Sequence, residues 1–333
     1  MLEQVLALGS RLRNRYVKAG SAAYDSGNTS TIKLPKGFNW RALIVRLNGS
    51  MNISVAGTVK SEAPLGLISK IELLADGGNT VIAAAARDMF RSSQFMVSKV
   101  GELVAPSGTG AAVAIAAELT LHLEAVGRLN PADSLFYTEP YAELELKITW
   151  GALSTIYTGG TAAVNASTKV DVYLDDTTEA HPESRLIRKV GYLEKTVTAA
   201  TTEFEFPLPK VGLLDHIVIR ADVDDTPNDA LISTVRFQFD NSFEPIKNVG
   251  WVDLQNKGVR ERSVDGGAAS TGRIAGYALI DLIENGMLSS APNLKAMVDP
   301  KLIFDVTLPA GTTRVIRLTF VYYDVRPDLQ AAA

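Results

Sequence analysis

The chain has 333 residues, of which 46% are hydrophobic and 21% charged, with a formal net charge of −4. That length exceeds one domain of ~100–200 residues, so two domains are expected. The balance suits an ordinary globular protein and calls for no nucleic-acid partner across the surface. Cysteine is absent, which excludes disulfides, cysteine nucleophiles and thiolate metal sites. No apolar run reaches the ~18 residues of a membrane-spanning helix. The N-terminus does not read as a signal peptide, because its short apolar stretch Val5, Leu6, Ala7, Leu8 is followed by basic residues instead of preceded by them.

Residues 1–18 predict a short amphipathic helix. Leu2, Val5, Leu6, Leu12 and Tyr16 recur at helical spacing, and Arg11, Arg13, Arg15 and Lys18 crowd its second half. Ala-Gly-Ser-Ala-Ala and Ser-Gly-Asn-Thr-Ser then predict a flexible joint over 19–30.

Beyond residue 30 the texture is that of strands. Val113, Ile115, Ala117, Leu119, Leu121 and Leu123 alternate with Glu118, Thr120 and His122, and Leu144, Leu146, Ile148 and Trp150 alternate likewise. Lys169–Leu174, Val235–Phe239, Leu302–Leu308 and Val315–Tyr323 are rich in β-branched and aromatic residues. Asn48-Gly49, Asp76-Gly77-Gly78-Asn79, Asp265-Gly266-Gly267 and Pro309-Ala310-Gly311 supply turns. The best later helix is Ala83–Gln94.

An internal repeat organises these strands. Leu34-Pro35-Lys36 matches Leu208-Pro209-Lys210, each followed by an apolar strand, Leu43–Leu47 and Ile217–Arg220. Leu67-Ile68-Ser69 matches Leu231-Ile232-Ser233, Leu119–Leu123 matches Ala278–Leu282, and Gly127 matches Gly286. Leu144, Leu146 and Ile148 match Leu302, Phe304 and Val306, and Val172-Tyr173 matches Val321-Tyr322. The matches keep one order in both halves, and the polar stretch Asp175–Glu183 separates them. The expected fold is therefore all-β: two tandem jelly-roll barrels of about eight strands each. The divisions are 1–29 (helix and joint), 30–183 (first barrel) and 184–333 (second barrel). Strand texture alone also fits an up-and-down barrel or an immunoglobulin-like sandwich.

Two tandem jelly rolls behind a short helix resemble the double jelly-roll major capsid proteins of the adenovirus and tailless, membrane-containing phage lineage. Leu67–Ile82 followed by Arg87-Asp88-Met89-Phe90 is similar to the first-barrel core of the phage members. The resemblance implies a homotrimer with a six-barrel, pseudo-hexagonal outline. Such trimers tile an icosahedral shell beside neighbouring capsomers and penton or minor capsid proteins, commonly over an internal lipid membrane. It also implies location in the virion capsid, assembly in a host cytoplasm, and a helix over 1–18 that points inward. The rival readings are a lectin-like, carbohydrate-binding jelly roll and a receptor-binding virion component.

Catalytic signatures do not emerge. His122, His181 and His216 lie far apart, and neither a Gly-x-Ser-x-Gly elbow nor a Walker loop is present. No enzyme and no obligatory cofactor are expected. Asp222, Asp224, Asp225, Asn228 and Asp229 form one acidic loop. Turn preferences favour reading it as a solvated turn, and a calcium loop is the second reading, because hard cations take several oxygen ligands from one flexible segment. Leu2, Val5, Leu6, Leu12, Arg11, Arg13, Arg15 and Lys18 are the candidate contacts to a membrane or the inner shell. Trp150 and Trp251 sit in strand-like apolar context, which predicts core packing, while Trp40 is open.

Overall fold

The computed structural model describes residues 14–97, 101–129, 134–177, 186–240, 244–262, 273–283 and 286–325. By contact the chain divides into two compact units. One comprises residues 1–93, 100–189 and 325–333, and the other comprises 94–99 and 190–324.

The first unit contains β1 (Asn14–Ala23), β2 (Thr29–Lys33), β3 (Asn39–Val55), β4 (Thr58–Val59), β5 (Ile68–Ala75), β6 (Asn79–Ala84), α1 (Ala86–Val97), β7 (Leu103–Val104), β8 (Gly110–His122), β9 (Phe136–Tyr137), β10 (Leu144–Trp150), β11 (Tyr157–Thr158), β12 (Thr161–Val164) and β13 (Lys169–Thr177). One sheet runs β1-β13-β3-β8-β7, and the opposing order is β6-β5-β10-β2. Strands 1, 3, 8 and 13 thus alternate between sheets with 2, 5, 6 and 10, which is jelly-roll winding.

The second unit repeats it with β14 (Leu186–Thr196), β15 (Thr201–Pro207), β16 (Leu213–Val223), β17 (Thr226–Pro227), β18 (Ile232–Gln238), β19 (Ile246–Gly250), α2 (Trp251–Arg262), β20 (Tyr277–Asp281), β21 (Lys301–Val306) and β22 (Arg314–Val325). One sheet takes the order β14-β22-β16 with β20 beside β16, and the other is β15-β21-β18-β19. Every repeat anchor falls on an equivalent strand: β3 with β16, β5 with β18, β8 with β20, β10 with β21, and β13 with β22. The Leu-Pro-Lys triplets follow β2 and β15, where proline ends a strand by withdrawing a donor. Gly127 and Gly286 both take left-handed backbone, at φ 71° and 69°, a conformation that a Cβ disfavours.

The cores follow from alternation. Along β10, Leu144, Leu146, Ile148 and Trp150 are buried while Glu145, Lys147 and Thr149 lie on the other face. In the second unit Phe206, Phe237, Phe304, Ile217, Ile219 and Leu318 fill the space between the sheets. Trp40, Trp150 and Trp251 are all buried. The core role expected of Trp150 and Trp251 holds, although Trp251 opens α2 and does not lie in a strand.

One expectation fails. Residues 14–18 do not belong to a helix, and residues 19–23 do not form a joint. Asn14–Ala23 is β1, the outer strand of the first barrel, paired antiparallel with β13 from Asn14 opposite Thr177 to Ala23 opposite Lys169. The alternation of Tyr16 and Lys18 with Val17 also satisfies a strand, and the aspartates of β13 hold the basic residues in place. Leu2, Val5, Leu6, Arg11, Leu12 and Arg13 lie outside the described residues.

Candidate functional site

The basic residues of β1 face a row of carboxylates on β13. Arg15 grips Asp176 with two bonds, Nε to Oδ1 at 2.9 Å and Nη2 to Oδ2 at 2.7 Å. The Asp176 side chain is only 2% exposed, so this fork neutralises a buried charge. Lys18 Nζ lies 2.7 Å from Asp171 Oδ1. Arg15 also sits over the Phe38 ring at 3.4 Å, and Tyr16 stacks on Tyr173 at 5.0 Å between centroids. Next to them, Arg41 pairs with Glu124 at 3.0 Å and Arg46 pairs with Glu118. These pairs make the outer face of the sheet a lattice of compensated charge. Arg15 and Lys18 are therefore engaged within the chain, while Tyr16, 55% exposed, is the aromatic ring this face presents outward. Helical reading hid the pairing, because only the register with β13 brings residue 15 to residue 176.

The side chains of the acidic loop have separate partners within the chain. Asp222 is buried against Arg220, Nε to Oδ2 at 2.8 Å, with Arg317 at 3.6 Å. Asp224 accepts from the backbone N–H groups of Thr312 and Thr313, at 3.0 and 2.7 Å to Oδ1. Asp225 lies 3.9 Å from Arg220, and Asn228 Oδ1 accepts from Ala230 N at 2.8 Å. Asp229 Oδ1 accepts from Trp251 Nε1 at 2.9 Å, Gln255 Nε2 at 2.7 Å and Gly276 N at 2.7 Å. Among the described residues no group of three or more His, Asp or Glu side chains is arranged to hold a metal ion. The oxygens that calcium would need point to different internal donors, a use of aspartate that spacing alone does not reveal.

Asp229 thereby ties the start of α2 to the segment leading into β20. Replacing it with alanine strands three donors and is expected to cost the second unit about 2 kcal/mol. Asp229→Asn, which keeps the acceptor oxygen, should lose much less. Chemical denaturation of the two variants checks this.

The two described histidines have different surroundings. His216 is buried beside Asp215, whose Oδ2 accepts from Tyr323 Oη at 2.9 Å, and His181 lies outside the described residues. His122 carries a buried Nδ1 without a partner. Burial, then the charges of Arg188 and Arg41, push its pKa down to about 3. The unfolded chain therefore binds a proton between pH ~6.5 and ~3 that the folded unit refuses. Stability from this group is complete above pH ~6.5 and is lost as the pH falls toward 3. His122→Gln should flatten the acid limb of the first unit's stability curve, measured by denaturant titration at stepped pH.

No family model and no curated protein matches the chain. Solved structures do. A crystal structure of the STIV MCP is similar with a TM-score of 0.74 at 15% identity, covering 97% of this chain and 99% of that one. The major capsid protein P2 from bacteriophage PM2 gives a TM-score of 0.63 at 14% identity, covering 95% and 99%. The PBCV-1 virus capsid model gives 0.63 at 13%, covering 94% of each chain. At such identities the likeness is one of architecture, and it spans nearly the whole of each molecule. The chain has the double jelly-roll fold.

Proposed function

We propose that the chain is a structural major capsid protein, assembling as a homotrimer whose six barrels tile an icosahedral shell. One observation carries the reading: two complete jelly rolls of identical winding follow one another in a single chain, with little added to either. A protomer with two like barrels becomes pseudo-hexagonal when three copies close about an axis, and closed cyclic symmetry is the usual form of self-assembly. The likeness to capsid structures over 97% of the chain supports the same reading. The role is structural and not catalytic. Neighbouring capsomers, minor shell proteins and an underlying lipid membrane complete the proposed setting. Leu2, Val5, Leu6 and Leu12 with Arg11 and Arg13 are proposed to contact the inner shell or anionic lipid, whereas Arg15 and Lys18, already paired with aspartates, are not.

Native mass spectrometry or light scattering of the purified chain tests the assembly. Three copies of 35.7 kDa give a species of about 107 kDa (3 × 35.7), with an intersubunit area of ~2,000 Å² or more expected of an obligate contact. A stable monomer at high micromolar concentration, together with failure to form shells, would refute the proposal.

A further inference from the structure

One end of the first unit is almost stripped of charge. Residues 47–59, 103–117 and 148–168 contain no Asp, Glu, Lys, Arg or His, in a chain that is 21% charged. The fold brings these three stretches together. β12 pairs with the end of β3 from Thr161 opposite Val55 to Val164 opposite Met51, and β8 pairs with the same strand at Met51–Val113 and Ile53–Gly110. β11 meets β4 through Tyr157 opposite Val59. Asn52, Ser54, Ala56, Gly57, Thr58 and Thr161 are exposed here, together with Val55, Leu103 and Val104.

All four Asn-x-Ser/Thr triplets of the chain fall at this same end: Asn28-Thr29-Ser30, Asn48-Gly49-Ser50, Asn52-Ile53-Ser54 and Asn165-Ala166-Ser167. The second unit has none. Asn28 joins the cluster because its carbonyl accepts from Trp150 N at 2.9 Å. The structure separates the four. Asn165 Nδ2 donates to Ser50 Oγ at 2.7 Å and to Ala111 O at 3.0 Å, so its amide is engaged in holding the ribbon. Asn48 is half-buried. Asn52 and Ser54 are both exposed, and two-residue spacing in a strand places amide and hydroxyl on one face. Asn28 is exposed in a turn, but its Nδ2 donates to Asp25 Oδ1 at 2.9 Å, so its amide, like that of Asn165, is engaged.

We infer that Asn52 is an N-glycosylation acceptor and that sugar solvates the uncharged tip of the first barrel. The donor is a sugar diphosphate ester, nucleoside- or lipid-linked. The Asn52 amide nitrogen forms a bond to the anomeric carbon as the bond from that carbon to the diphosphate oxygen breaks. The diphosphate leaves with the electron pair, and the amide proton passes to a base of the transferase. Asn52 is exposed in a charge-free stretch, so its side chain stays open to solvent after folding.

The test is peptide mass spectrometry on the full chain from its native source. Trypsin releases residues 47–60 as one peptide, and fragmentation distinguishes Asn48 from Asn52. The expected result is a hexose- or hexosamine-containing adduct on Asn52, and bare Asn165 in the 148–169 peptide. A single hexose indicates a nucleoside-linked donor, and a preassembled oligosaccharide indicates a lipid-linked one. Ser54→Ala, produced in the same host, keeps Asn52 but should abolish its adduct while leaving the fold intact by circular dichroism. An unmodified Asn52 in native material, or an adduct that survives Ser54→Ala, overturns the inference.

Discussion

A chain beginning at residue 19 is expected to lose the fold of the first unit, whereas one beginning at Asn14 should keep it. Residues 14–18 are half of the ten-residue strand β1, which lines the outer edge of its sheet. Removing them leaves Asp176, 2% exposed, without the guanidinium fork that neutralises it. An uncompensated buried charge costs about 3–5 kcal/mol. The stack of Tyr16 on Tyr173 adds roughly 0.5–1.5 kcal/mol. Against a typical total stability of ~5–15 kcal/mol, that loss removes most of the margin. Calorimetry of the two truncations, with Arg15→Ala as an intermediate case, reads the effect. If a chain starting at residue 19 melts like the full-length protein, β1 contributes nothing to the barrel and the pairing with β13 is not what holds it.

Asp222→Ala should be the most damaging single substitution in the second unit. Arg220 lies directly opposite Arg317 across the β16–β22 pair, and both guanidinium groups reach Asp222, at 2.8 and 3.6 Å. Arg317 also pairs with Glu194 at 2.7 Å, whereas Arg220 is 1% exposed and Asp225 lies 3.9 Å from it. Without Asp222 two cations face each other across neighbouring strands in a poorly solvated place. The expected loss is about 3–5 kcal/mol, lowering the unit's thermal midpoint by roughly 10–20 °C. Arg220→Met combined with Asp222→Ala should recover much of it, because removing both charges also removes their desolvation cost. A double variant as unstable as the single one would show that strand packing, not charge, sets the penalty.

Much of the architecture could be read from the chain because burial imposes a period. A strand with one face in a core must alternate, so the apolar rows of β8 and β10 announce themselves. Duplication wrote that pattern twice, in order, and fold class and repeat anchors followed. Where a segment satisfies two periods at once, local pattern fails. Residues 14–18 fit a helix by spacing, and the choice of strand rests on partners at 171–177, more than 150 residues away. Helix α2 escaped notice because Asn256 and Gly258 weaken its local signal, and its docking rests on Trp251 and Gln255 meeting Asp229.

The acidic loop shows the same division. Composition identified five polar side chains in one turn, but their roles depend on which donors the rest of the chain delivers. Backbone from 312 and 313 came to Asp224, a strand arginine to Asp222, and an indole, an amide and a backbone N–H to Asp229. The alternation, the turns, the two-fold repeat and hence the pair of barrels are legible along the chain, because these rest on local periodicity and on copies of it. Strand register, by contrast, places Arg15 and Lys18 in a sheet, turns the aspartates toward internal donors and gathers the four asparagine triplets at one uncharged end. Each of those depends on distant segments brought together by strand register, which the order of residues along the chain does not express.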